Sequence, residues 1–132
     1  MSLHCRGIPI GAVLVHGDRI VGAGHNKRVQ HNSAIKHAEM MALENAGRQT
    51  ASFYRQCTMY TTLSPCIMCA GAILLYGIPR VVIGENTNFV GAEDLLTDRG
   101  VQITIMQNAE CINMLSEFIF ANPALWFEDI GV

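Results

Sequence analysis

Apolar and polar positions change their period several times along the chain, and each change predicts an element. Residues 10–16, IGAVLVH, and 19–24, RIVGAG, are short β-rich runs joined by Gly17-Asp18, a hairpin signal. The next stretch, HNKRVQHNSAIK (25–36), is polar and aperiodic and reads as loop. HAEMMALENAG (37–47) then collects good helix formers and ends at Gly47, a residue suited to closing a helix. CTMYTTL (57–63) reads as a strand. Ser64 and Pro65 have the character of an N-cap and a first helical residue, for a helix running to Tyr76 with Gly77 behind it. That helix is apolar on nearly every side, which marks it as buried in a core or at a subunit contact. RVVIGE (80–85) and VQITIMQ (101–107) predict two more strands, separated by the loop NTNFVGA (86–92) and a short helical piece, EDLLTDR (93–99). AECINMLSEFIFAN (109–122) is a last amphipathic helix stopped by Pro123, followed by a mixed aromatic and acidic tail, ALWFEDIGV.

Strands alternating with helices after an opening hairpin imply an α/β fold, a three-layer α/β/α sandwich around a mixed sheet. At 132 residues the chain suits one domain, 1–132, with one core. Charged residues make up only 15% of it, against a usual share of about a quarter, so some apolar surface is expected to meet another subunit, most simply in a homodimer. The formal charge of −2 and the scattered Lys and Arg give no basic stripe for gripping nucleic acid. Five cysteines without extracellular framework spacing fit a reducing compartment. With no leader-like start and no apolar run near the ~20 residues of a membrane span, a cytoplasmic protein is expected.

The chemistry concentrates at two predicted helix starts, His37-Ala38-Glu39 and Pro65-Cys66-Ile67-Met68-Cys69. Cysteines at i and i+3 share a helical face, and the positive end of a helix favours the thiolate that binds metal. His37, Cys66 and Cys69 make an N/S/S set that suits zinc, one ion per subunit. Three protein ligands leave a fourth position for water or hydroxide, as in catalytic sites. Glu39 lies about 200° around a helix from His37, so it is placed to exchange protons with that water and not to ligate the same ion. Two other readings compete: a redox dithiol, and a closed structural site completed by His25, His31, Cys57 or Cys111. Cys5, Cys57 and Cys111 otherwise read as small hydrophobes or incidental thiols. Gly22-Ala23-Gly24 is a lone GxG inside a strand and not a nucleotide loop.

His-x-Glu followed by Pro-Cys-x-x-Cys is the established signature of zinc base deaminases. The chain accordingly resembles the cytidine deaminase-like superfamily. Within it, GIPIGA, GHNKR, MYTTLSPCIMCAGAILLYGIPR, VVIGENTNF and WFEDIG are similar to the fungal-type cytosine deaminases, from about Gly7 to the end. The resemblance implies a five-stranded sheet, a homodimer, and hydrolysis of cytosine to uracil and ammonia, with zinc on His37, Cys66 and Cys69 and Glu39 as proton shuttle. It also implies that Asn26 meets the polar edge of the base, that Asp129 reaches the pocket from the tail, and that Ile10, Phe89 and Trp126 wall the ring; Ala38 and Ser64 join the expected substrate contacts. Two departures stand out. The family carries a helix ahead of the segment that here follows MSLHCR, so either the native chain extends further or one sheet face is less covered. Ala38 replaces a glycine usual in cytosine deaminases and is common in tRNA adenosine deaminases and purine-acting relatives such as guanine deaminases. The alternatives are therefore a tRNA adenosine or purine deaminase, and, in another class, a zinc-binding module without catalysis.

Overall fold

A computed structural model describes residues 7–132; Cys5 and the rest of MSLHCR lie outside the described residues. Five strands form one mixed sheet: β1 (Gly11–His16), β2 (Arg19–His25), β3 (Cys57–Leu63), β4 (Arg80–Glu85) and β5 (Gln102–Ile105), in the order β2-β1-β3-β4-β5. The hairpin partners β1 and β2 are antiparallel, as are β1 and β3, while β3, β4 and β5 run parallel. The helices are α1 (Ala38–Ala46), α2 (Ala51–Tyr54), α3 (Ile67–Leu75), α4 (Glu93–Asp98), α5 (Ala109–Ala121) and α6 (Pro123–Asp129). Helices α3 and α4 make the crossovers between parallel strands, which need a connection of that size.

Register decides which residues share a face. Leu14 pairs with Gly22 and Met59, and Met59 with Val81, so these four point the same way. That side is the core, where Leu14, Met59, Val81, Ile83, Ala42, Ile73 and Leu96 are all buried. Gly22 and Gly24 let α1 settle onto β2, because a Cβ on either would strike the backbone of Ala42 in that helix. The lone GxG is thus a packing device that seats the helix carrying Glu39. On the opposite face Gly84 abuts Cys111 of α5, which gives the third layer. Beside α5, a groove of about 530 Å³ lies over this face against Val13, Tyr60 and Val82, and Tyr60 remains 42% exposed.

Several boundaries shift from the pattern. Ser64 is not the N-cap of α3: the helix starts at Ile67, Cys66 is its N-cap, and no side chain caps it. Ser64 instead gives its hydroxyl to a neighbouring carboxylate, as described below. His37 likewise precedes α1 as its N-cap. The tail forms α6, with Pro123 opening the helix rather than only ending α5. Asn108 caps α5 by accepting from the Cys111 N–H. Among the described residues, no helix is long and apolar enough to cross a membrane.

Candidate active site

His37 is presented by the loop between β2 and α1. Hydrogen bonds from Lys27 N–H to Lys36 O, from His31 N–H to Lys27 O and from Ser33 N–H to Arg28 O fold that loop back on itself. Extended backbone at His37 (φ −65°, ψ 160°) leaves its ring free of the helix, while its carbonyl accepts from Met41 N–H. Cys66 holds the equivalent position before α3, also in extended backbone, and Cys69 follows one turn on. Packing α1 beside α3 brings both helix starts together.

The His37 Nδ1 atom lies 3.4 Å from Cys66 Sγ and 3.7 Å from Cys69 Sγ, and all three ligand atoms lie within 4.8 Å of one another. Tetrahedral zinc with ordinary Zn–N and Zn–S bonds would set each N···S separation at about 3.6 Å, so this donor set fits the ion. Cys66, Cys69, Cys57 and Cys111 are all free thiols. Among the described residues, neither His25, His31, Cys57 nor Cys111 joins the cluster, which removes the closed structural site. A redox dithiol offers no account of the imidazole lodged between the sulfurs.

The electrostatics follow from burial and these contacts. Hydrogen bonding from Cys69, followed by that to His37, brings the Cys66 thiol down to about 4 against the cost of burial. The same Cys66 contact, burial and the nearby Glu39 push the Cys69 thiol well up. Burial pulls His37 down, but hydrogen bonds to Asp129 and Cys66 outweigh it and hold the ring up at about 10. Burial pushes the Glu39 carboxyl up to about 7, against a backbone hydrogen bond and the His37 charge. A carboxyl so placed can both accept and release a proton near neutral pH.

Above the cluster is a small, partly enclosed cavity of about 20 Å³, enough for one water. It is lined by Ile10, Asn26, Ala38, Glu39, Ser64 and Phe89 of the sequence-derived set, with His37, Cys66 and Asp129. Cys69 is fully buried behind it. Trp126 does not line it but backs Phe89 edge to face, with ring centroids 6.1 Å apart. Leu63 and Ile130 also line the cavity and were not singled out from the sequence; nothing in their local pattern separates them from ordinary core.

The tail reaches the site through Asp129. Its Oδ1 accepts from Asn26 Nδ2 at 2.8 Å and lies 3.4 Å from His37 Nε2. Asn26 Oδ1 accepts from Arg28 N–H, which fixes the orientation of the amide. Arg28 Nη1 lies 3.3 Å from Glu128 and 3.9 Å from Asp129, tying α6 to the loop ahead of His37. Arg28 was missed as a site residue because its carboxylate partners, Glu128 and Asp129, lie in the tail, far from it in sequence.

Comparison with known proteins agrees with this geometry. The cytidine and deoxycytidylate deaminase zinc-binding region matches residues 1–85. The chain is 55% identical to a cytosine deaminase of Candida albicans over 126 residues, covering 95% of this chain and 84% of that protein. It is 39% identical to a tRNA-specific adenosine deaminase of Streptococcus pyogenes, covering 89% of this chain and 80% of the relative. The fold is shared with a guanine deaminase from Nitrosomonas europaea at 22% identity and a TM-score of 0.71, covering 89% of this chain and 76% of that one. A structure from studies of deaminases acting at the wobble position of transfer RNA superposes with a TM-score of 0.73 at 25% identity, covering 86% and 90%. Sequence likeness over nearly the whole chain thus coincides with a histidine and two cysteines gathered at zinc spacing, and the chain belongs to the zinc-binding cytidine and deoxycytidylate deaminase family.

Proposed function

We propose that this protein, working as a single zinc-dependent domain over residues 1–132, hydrolyses a free pyrimidine base, cytosine, to uracil and ammonia. The observation that carries the reading is the seating of a small cavity directly at the His37, Cys66 and Cys69 cluster, with Glu39 in its wall. Ile10, Phe89 and Ile130 give it apolar walls beside the polar Asn26 and Asp129, a combination that suits a flat heterocyclic base. The cytosine deaminase likeness over 95% of the chain supports the same substrate. At about 20 Å³ the cavity is smaller than any base, so entry requires Phe89 or α6 to give way and to close again behind the ring.

When held by His37, Cys66 and Cys69, zinc supplies a Lewis acid that makes water acidic enough to yield hydroxide near neutral pH. Glu39 takes a proton from the attacking water, passes one to the ring nitrogen, and then protonates the departing amine. The C4–O bond forms first; the C4 hydroxyl then gives its proton through Glu39 to the amine as the bond from C4 to the amino nitrogen breaks, so water plus cytosine balance uracil plus ammonia. Asn26 offers its remaining N–H and carbonyl lone pair to the polar edge of the base. Asp129 accepts from amino or N–H hydrogens, and Ile10, Phe89 and Ile130 pack the ring and exclude water. Ala38, fully buried at the cavity wall, supports a second reading as a tRNA adenosine or purine deaminase, as does the Streptococcus pyogenes likeness.

The reading extends to a cytoplasmic homodimer in pyrimidine salvage. Free thiols support the compartment. Ile67 and Leu75 on α3, exposed at 67% and 75%, support a partner surface beside Ile35 and Tyr76. Ammonia release should be measured on zinc-loaded protein with cytosine, isocytosine, guanine, cytidine, adenosine and an anticodon stem-loop. Turnover of free cytosine is expected; turnover of the stem-loop with no free base consumed reverses the assignment.

A further inference from the structure

We propose that Glu93 is a positioning residue for the metal centre, acting through the hydroxyl of Ser64 on the turn that presents Cys66. This rests on the zinc reading of His37, Cys66 and Cys69. Because no side chain caps α3, the position of Cys66 must be set by what holds the Ser64-Pro65-Cys66 turn from outside.

Four hydrogen bonds do so. Ser64 N–H donates to Glu85 O at 3.0 Å, and Ala92 N–H donates to Pro65 O at 2.9 Å. Between them, Ser64 Oγ donates to Glu93 Oε2 at 2.6 Å and accepts from Gly91 N–H at 2.8 Å. A serine hydroxyl has one proton, and a 2.6 Å bond to a carboxylate is the short, charge-assisted kind. That proton is therefore committed to Glu93 and is not offered to a base in the cavity. Glu93 is itself anchored: Asn86 Nδ2 reaches both of its oxygens at 3.3 Å, while Asn86 Oδ1 accepts from Gln107 Nε2. The segment between Asn86 and Glu93 lies so close to the turn that a Cβ on Gly91 would run into the Pro65 carbonyl. Phe89 sits in the middle of this segment. One carboxylate thus joins the loop carrying the cavity wall to the turn carrying a metal ligand.

Loss of Glu93 strands the Ser64 hydroxyl and the Asn86 amide and frees the turn to shift. Outer partners of metal ligands typically change metal affinity by about 10–100-fold. The test challenges zinc-loaded protein with a chromophoric chelator and records the zinc release rate for the parent, Glu93→Ala, Glu93→Gln, Ser64→Ala and the Ser64→Ala/Glu93→Ala double variant. Glu93→Ala and Ser64→Ala should each speed release by about 10–100-fold, and the double variant by no more than the larger single effect. Glu93→Gln keeps an oxygen acceptor for Ser64 and should stay nearer the parent. A lower melting temperature with parental zinc release overturns the proposal, as do single effects that multiply in the double variant. Should Glu93→Ala fail to fold, parental release by Ser64→Ala overturns it equally. The chelator reads the metal alone, so a chain that deaminates no base yet sheds zinc faster without Glu93 would sink the deaminase reading and leave this one standing.

Discussion

Replacing Glu39 by glutamine tests catalysis and stability with one atom pair changed. Glu39 is 4% exposed, and burial raises its carboxyl from an ordinary 4.5 to about 7. Below pH 4.5 the group is neutral in both the folded and the unfolded chain, and its contribution to stability is fully present. As pH rises further, the unfolded chain ionises while the fold retains the proton, so stability is lost until pH passes about 7. At about 1.4 kcal/mol per pH unit of that interval, the ionised carboxylate costs about 3 kcal/mol. Glutamine is neutral throughout and nearly the same size. Urea unfolding of reduced, zinc-stripped protein, its fold confirmed by circular dichroism, should show Glu39→Gln more stable by up to about 3 kcal/mol at pH 8. Near pH 4.5 the difference should shrink below about 0.5 kcal/mol. With zinc bound the gap should narrow, because the cation favours the carboxylate. Deamination should be lost at every pH. A stability difference that does not vary with pH refutes the burial argument, and retained turnover refutes the proton-shuttle role.

Cys66→Ala should drop the zinc content from one ion per chain to near none by elemental analysis, since two remaining ligands do not make a zinc site; a variant retaining a full equivalent removes Cys66 from the ligand set. Glu85 is fully buried and accepts from Thr87 N–H, Asn88 N–H and Asn88 Nδ2 at 2.8–2.9 Å. Glu85→Ala should cost about 3 kcal/mol in urea unfolding. It should also raise KM for the base, because the loop it ties down carries Phe89; an unchanged KM would show that the loop is held by something else.

The ligands were legible because their chemistry is local. Two thiols at i and i+3 beside a proline, and His-x-Glu at another helix start, require only the geometry of one turn each, and that geometry follows from helix propensity and spacing. Strand and helix identities were legible for the same reason, with two exceptions: the single turn α2, where no element was expected, and the tail. There an aromatic and acidic run gave no clear period, and α6 formed because Trp126 and Asp129 are buried against the rest of the fold. Ser64 was misplaced as a cap because a serine before a proline looks the same whether its hydroxyl turns to its own helix or, as here, to Glu93.

The sequence by itself determined which atoms are available for metal and proton chemistry, since donor type and short-range spacing belong to the chain in any context. Only the tertiary structure decided which of them meet. Asn26 and Asp129 stand 103 positions apart and Ser64 and Glu93 stand 29 apart. Contacts of that separation depend on strand order, register and the close seating of α1 and α3, which emerge when the whole apolar core is buried at once.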